Sequence, residues 1–371
     1  MTRRLRNLAA VAVLVAPTVT LSVAPAIAAE PHLPPGMYQV PTYGGGYGGG
    51  EGESYGDAYG QLAEGVTTLE QATTEATEME SAGVVLITTT VGYDAGEAAG
   101  TGLVLSADGV VVTNHHVVEG ATEITVTDAG TGETYTAEVL GYDAESDVAV
   151  LQLAEAEGLS TVDLDDEQVA LGDEVTAVGN AEGGGVLLSS AGSVTDASAD
   201  ITVSSTTGEA QELTDLIEVD AYVVSGDSGG ALLDSEAEVI GMNVAASTGG
   251  IEVVGYAIAI DTVETIVEQI LAGDDSGAIE LGYGAALGVE VYESQSGLIV
   301  AGVVADGGAG GAGLSAGSRI DWVAGVRIDD LADLAAVLAE REPGDTVHLT
   351  WTDSSGTQHT GTAVLGQAPV G

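Results

Sequence analysis

Gly102-Leu103-Val104-Leu105-Ser106-Ala107-Asp108-Gly109-Val110-Val111-Val112-Thr113 decides the reading of this chain. Two short apolar runs flank an Asp-Gly step, a strong local signal for a β-hairpin. Asn114-His115-His116-Val117-Val118 follows directly. Working outward, Val84-Val85-Leu86-Ile87-Thr88 is a β-branched run, and strand-like segments recur at 123–126, 134–140, 148–153, 174–178, 186–194 and 238–244, punctuated by Gly, Asp and Asn. Short strands at this spacing predict an all-β sandwich or barrel. One helix closes the region. Asp261 is the expected N-cap with Glu264 completing a capping box, and Val263, Ile266, Val267, Ile270 and Leu271 form the apolar stripe ended by Gly273. Beyond the polar linker Asp274-Asp275-Ser276-Gly277, the last ninety or so residues read as a separate small domain. It is rich in strands, with one helix capped at Asp329-Asp330 and carrying Leu331, Leu334, Val337 and Leu338 on one face.

Composition narrows the function. The 371 residues carry 58 acids against six cations, all arginine, for a formal charge of −52, and there is no cysteine. Nucleic acid is excluded as a partner, because phosphate neutralisation needs clustered cations and none lies between Asn7 and Ser318. Disulfide scaffolds and cysteine-ligated zinc are excluded, and electrostatic docking on an anionic membrane is disfavoured. The 45% apolar content still supports a buried core. Residues 1–28 are expected to be a signal peptide, with Arg3, Arg4 and Arg6 as the basic end, an apolar stretch, and Ala26-Ile27-Ala28 as cleavage site. The competing reading is an uncleaved anchor, and Arg3-Arg4 leaves a twin-arginine signal open beside an ordinary basic end. Residues 29–80 begin with a Gly/Tyr-rich stretch, including Tyr38, Tyr43, Tyr47, Tyr55 and Tyr59, and read as a flexible spacer. A polymer-binding tail is the alternative.

Three positions carry chemistry. His116 and His115 are the only histidines in the β-rich region; on an extended segment neighbouring side chains point opposite ways, so the pair is not expected to share a metal. Ser228 stands in Gly226-Asp227-Ser228-Gly229-Gly230, and Asp147 precedes the strand at 148. A serine hydroxyl attacks only when an imidazole takes its proton, and that imidazole needs a carboxylate on its other nitrogen. The order His, Asp, Ser is that of chymotrypsin-type hydrolases. Asp147 is one of many acids, and its choice rests on the strand start alone. Glycines about Ser228 let backbone N–H groups converge, and those of Gly226 and Ser228 are the expected oxyanion donors.

The motifs Thr113–Val118, Asp147–Leu151, Gly226–Gly230 and Gly255–Ile258 together resemble an HtrA-like (Deg-type) serine protease. The likeness spans about residues 81–368. It implies a chymotrypsin-like double β-barrel over 81–274 followed by a small PDZ domain over 281–368, a mainly β chain. By resemblance His116 is the base, Asp147 its orienting carboxylate and Ser228 the nucleophile, and Tyr222 stands at the floor of the substrate pocket, shaping it for small aliphatic side chains. Leu287, Gly288 and Val289 match the loop that captures peptide C-termini. The sequence departs from the pattern at Asp227, where many members have Asn, and at Ser318, which replaces an Asp. The resemblance implies an exported endopeptidase for unfolded or misfolded proteins, protein or peptide substrates, C-terminal peptides at the PDZ domain, homotrimeric assembly, and no cofactor or metal. The alternative is a catalytically idle peptide-binding or chaperone-like protein.

Overall fold

In the computed structural model, placement is defined for residues 14–15, 73–91, 96–165, 169–204, 210–244, 254–304 and 307–371. The expected signal peptide (Leu14–Val15 apart), the Tyr/Gly-rich segment, and Asp166 and Glu167 lie outside this range.

Alternating β-branched segments pair as their patterning predicts. β1 (Val84–Val91), β2 (Gly96–Val104), β3 (Val110–Thr113), β4 (Ala121–Asp128), β5 (Thr134–Asp143) and β6 (Val148–Leu153) run in the order β5-β4-β1-β2-β3-β6, and β6 returns to β5, so six antiparallel strands close into a barrel. Closure pairs the first strand with the last, so the sheet has no terminal strand among these six. Its interior is filled by Ile87, Val111, Val126 and Leu151, all fully buried. Gly109 turns the β2–β3 hairpin at φ 95°, as the Asp-Gly step requires.

A second barrel follows from β7 (Glu174–Gly179), β8 (Leu188–Ser204), β9 (Ala210–Val219), β10 (Ala231–Leu233), β11 (Val239–Val244) and β12 (Gly255–Ala259). The order is β9-β12-β11-β10-β7-β8, with β8 closing on β9. Its lining includes Val175, Ile217, Leu232 and Ala257. A third apolar cluster joins the barrels: Leu103, Val112 and Val150 from the first pack in one core with Val178, Leu216, Met242 and Ile258 from the second.

Two local expectations change. The chain turns from β12 straight into α2 (Ile260–Leu271), whose N-cap is Ala259, not Asp261. Ile260 is buried in the inter-barrel core, which pulls the helix start two residues back, and Asp261 instead accepts the Thr262 N–H. His115 and His116 do not sit on extended backbone: they open a single helical turn, α1 (His115–Val118). Their side chains still diverge, as described below.

Beyond α2, β13 (Ile279–Leu281) adds to the first barrel alongside β5. The C-terminal domain then comprises β14 (Ala285–Ala286), β15 (Val289–Ser294), β16 (Gly297–Val303), α3 (Gly308–Ala312), β17 (Arg319–Val323), β18 (Val326–Arg327), α4 (Leu331–Leu338), β19 (Thr346–Thr352), β20 (Gln358–Val364) and β21 (Gly366–Gln367). β15, β16, β17, β19 and β20 form one sheet in that order, and β14 pairs with β21. Leu14–Val15 lies parallel to the free edge of β15. Asp330 caps α4 as expected, accepting the Asp333 N–H at 3.0 Å.

Candidate active site

α1 is four residues long, too short to hold itself. Asp147 clamps it. One carboxylate oxygen accepts the His116 backbone N–H at 2.9 Å, and the other meets His116 Nδ1 at 2.8 Å. The Asp147 carbonyl accepts the His115 N–H at 3.2 Å and the Asn114 side-chain N–H at 3.1 Å. All four bonds go to residues 114–116. Asp147 reaches them from left-handed backbone, φ 56°, a costly conformation for a non-glycine residue that persists only where its surroundings demand it. Asp147 is buried, whereas the His116 side chain is 32% exposed. A proton on Nδ1, directed at the carboxylate, leaves the Nε2 lone pair as the accepting face. Burial pulls the imidazole pKa down, but the Asp147 charge and hydrogen bond, with Glu119 adding to them, outweigh it and hold His116 above its ordinary value.

Ser228 arrives from the other barrel. Its loop between β9 and β10 is pinned by groups whose role the sequence did not reveal. Thr101 on β2 donates its N–H to the Ser228 carbonyl at 2.9 Å and its hydroxyl to the Gly226 carbonyl at 2.7 Å. Thr113, three residues before His116, donates its hydroxyl to the Thr101 carbonyl at 2.7 Å. A Cβ on Gly229 would come within 2.3 Å of the Thr113 hydroxyl, so the serine loop and the strand leading to His116 meet in direct contact. Asn243 accepts the Gly229 N–H and donates its own N–H to Gly230, closing the other side. Gly226 has φ 98°, and a Cβ there would sit 2.2 Å from the Asn180 carbonyl, so only glycine fits. A buried threonine on a strand end is a weak signal in sequence. Its meaning depends on a partner more than a hundred residues away.

Asp227 is buried beside Ser228. One carboxylate oxygen accepts the Val224 N–H at 2.9 Å; the other has no hydrogen-bond partner among the described residues. Desolvation dominates, and the carboxyl is pushed up to about 7 despite the Val224 bond. No N-terminal amine or arginine pairs with it in the described range. Tyr222 is half-buried, its backbone N–H held by the Ser190 hydroxyl at 2.9 Å.

In the C-terminal domain, Leu287 is buried and its carbonyl accepts the Ala309 N–H, while Gly288, at φ 74°, accepts the Val304 N–H. Val289 starts β15. Ser318 is buried and its hydroxyl has no partner among the described residues. A cleft on this domain is lined by Arg319, Asp321, Trp322, Arg327 and Asp329, with Arg319 paired to Asp321 and Arg327 to Asp329. One acidic group, Asp165, Asp234 and Glu238, brings carboxylate oxygens within 4.8 Å of one another; its residues are only half-buried.

Residues 100–242 match the trypsin-like peptidase domain family and residues 285–358 the PDZ domain family. The chain is 35% identical over 276 residues to a probable periplasmic serine endoprotease DegP-like of Brucella suis, covering 70% of this chain and 51% of that protein. It is 31% identical over 313 residues to the serine protease PepD of Mycobacterium tuberculosis, covering 77% and 64%. It is 31% identical over 270 residues to the periplasmic pH-dependent serine endoprotease DegQ of Escherichia coli, covering 68% and 56%. The chain thus spans about half to two-thirds of the length of these curated relatives. A solved structure of the HtrA-type protease AlgW with a tripeptide aligns at 27% identity and a TM-score of 0.45, covering 78% of this chain and 95% of that one. With a trypsin-like peptidase domain, a trailing PDZ domain and DegP-like relatives, the chain is similar to the HtrA-like serine proteases.

Proposed function

We propose that the chain is an exported serine endopeptidase that cleaves unfolded proteins through His116, Asp147 and Ser228. The hydrogen bond from His116 Nδ1 to the buried, fourfold-bonded Asp147 carries this reading, because it fixes the tautomer a general base needs. Ser228 Oγ attacks the peptide carbonyl carbon as His116 Nε2 takes its proton. The oxyanion forms within reach of the Gly226 and Ser228 backbone N–H groups. The imidazolium then protonates the leaving amine, and the acyl-enzyme is hydrolysed by a water that His116 deprotonates. Asp147 stabilises the imidazolium throughout.

Domains over 81–274 and 281–368 are supported by the two barrel cores and the separate C-terminal core, with Ile279 and Val370 packing into the barrel cores from outside the first range. Peptide capture at Leu287, Gly288 and Val289 is supported by the glycine turn before the β15 edge, and export by the periplasmic names of the relatives. Tyr222 supports a shallow specificity pocket; a peptide-library profile favouring Arg or Phe before the cut refutes it. Assembly as a homotrimer remains a proposal from the family alone, tested by light scattering. The activity is tested on β-casein: the wild type produces fragments and Ser228→Ala produces none, whereas cleavage by Ser228→Ala rejects the assigned nucleophile.

A further inference from the structure

His115, next to the catalytic histidine, has no place in the chemistry above, yet it is buried. Its ring stacks on Tyr142 with centroids 4.6 Å apart and planes 20° from parallel, and its Nε2 meets the main-chain oxygen of Gly371. The residues that reach it come from the far end of the chain. β21 leaves the C-terminal domain hydrogen-bonded to β14, immediately before the Leu287 loop. The Ala368 N–H then donates to the Gly284 carbonyl at 2.8 Å. Val370 crosses to the first barrel: its carbonyl accepts the Gly120 N–H at 2.8 Å, and its N–H donates to the Ala121 carbonyl at 3.1 Å. Its side chain is buried in the same cluster as Val117, Val118 and Tyr142.

These contacts fall on both ends of α1. The turn has no side-chain N-cap bond, and four residues cannot sustain a helix without tertiary support. Asp147 holds its first residues. Gly371 on His115 and Val370 on Gly120 and Ala121 hold its other face and its exit. Positioning is costly to lose, because a displacement of about 1 Å in a catalytic group can reduce turnover by about a hundredfold.

We propose that residues 366–371 form a strap that fixes α1, with His115 and Val370 acting as positioning residues for His116. The inference rests on His116 being the base. The strap acts on geometry at the reacting atoms and not on substrate binding, so its loss lowers kcat and leaves KM unchanged.

The test uses the full chain, with active sites counted by burst titration. His115→Leu and Val370→Ser are each expected to lower kcat by about tenfold at constant KM. His115→Gln, which restores an N–H at similar reach, recovers most of the loss. Leu153→Ala, a cavity in the same barrel core away from the strap, is the control for simple destabilisation. If His115→Leu and Val370→Ser lower the melting temperature as Leu153→Ala does and keep wild-type kcat per active site, the strap is only structural and the inference is overturned. His116→Ala separates the two claims: turnover persisting in that variant removes the triad reading itself, whereas its loss beside unaffected strap variants removes the strap alone.

Discussion

Two buried aspartates flank the site, one from each barrel, and the fold treats them in opposite ways. Asp147 in the first barrel has every oxygen engaged, all by residues 114–116, with a histidine cation available as partner. Among the described residues, Asp227 in the second barrel has one N–H donor, one oxygen without a hydrogen-bond partner and no cation beside it. A buried charge is tolerable when paired and hydrogen-bonded and costly otherwise, so the partners that Asp147 has are the ones Asp227 lacks, and Asp227 is driven toward neutrality. Residue type and burial alone do not distinguish them; their partners do.

The largest way to break this comparison is on the first barrel's side. His116→Ala should lower kcat by about 10⁶, and Asp147→Asn by about 10⁴, since the amide stabilises the wrong tautomer. The acidic limb of the wild-type kcat/KM profile should fall above the ordinary histidine value of about 6.5, because Asp147 raises His116. Gly226→Ala should cost about 10² to 10³ in kcat: its Cβ would collide with the Asn180 carbonyl and turn an oxyanion donor aside. Stopped-flow assays with an ester substrate measure all three.

On the second barrel's side the effect appears in stability. A group whose folded pKa is raised contributes stability at low pH and loses it as pH rises. For Asp227 the loss runs from about pH 4 to about 7, and a rise from 3.8 to about 7 bounds it near 4 kcal/mol, at about 1.4 kcal/mol for each tenfold change in proton affinity. Asp227→Asn should therefore be more stable than the wild type at pH 8 and show a flatter melting profile between pH 4 and 8. A variant that melts lower than the wild type at pH 8 would show that the carboxylate is stabilised there.

The smallest effect concerns the surface. Glu238 is held above its ordinary value by partial desolvation and by the charges of Asp165, Asp234, Glu236 and Asp163. Like charges repel across a surface that, from Asn7 to Ser318, has no Lys or Arg to offset them, and salt screens that repulsion. The melting temperature should rise by several degrees between low and molar NaCl; a flat response contradicts the surface account.

Much of this was legible. The Asp-Gly hairpin, the strand at 148–153 and the Asp330 cap are local patterns, and the structure reproduces them. What depends on distant partners was not. The apolar pattern of β8 ends at Val194 because its outer half is polar, and α3 is Gly-Ala-Gly-Gly-Ala, three of five residues being glycine, a poor helix former, so tertiary packing holds it. His116 and Ser228 were found through their motifs, but Thr101, Asn243 and Val370 act through residues far along the chain, where no local pattern marks them.

The central claim is that Ser228 is a nucleophile activated by a histidine that Asp147 holds in one tautomer. A fluorophosphonate probe tests this most directly, with the labelled peptide mapped by mass spectrometry. The account predicts one adduct on Ser228 in the wild type, strongly slowed labelling in Asp147→Asn and none in Ser228→Ala. An unlabelled wild type, folded by circular dichroism, or an adduct on another serine would contradict it.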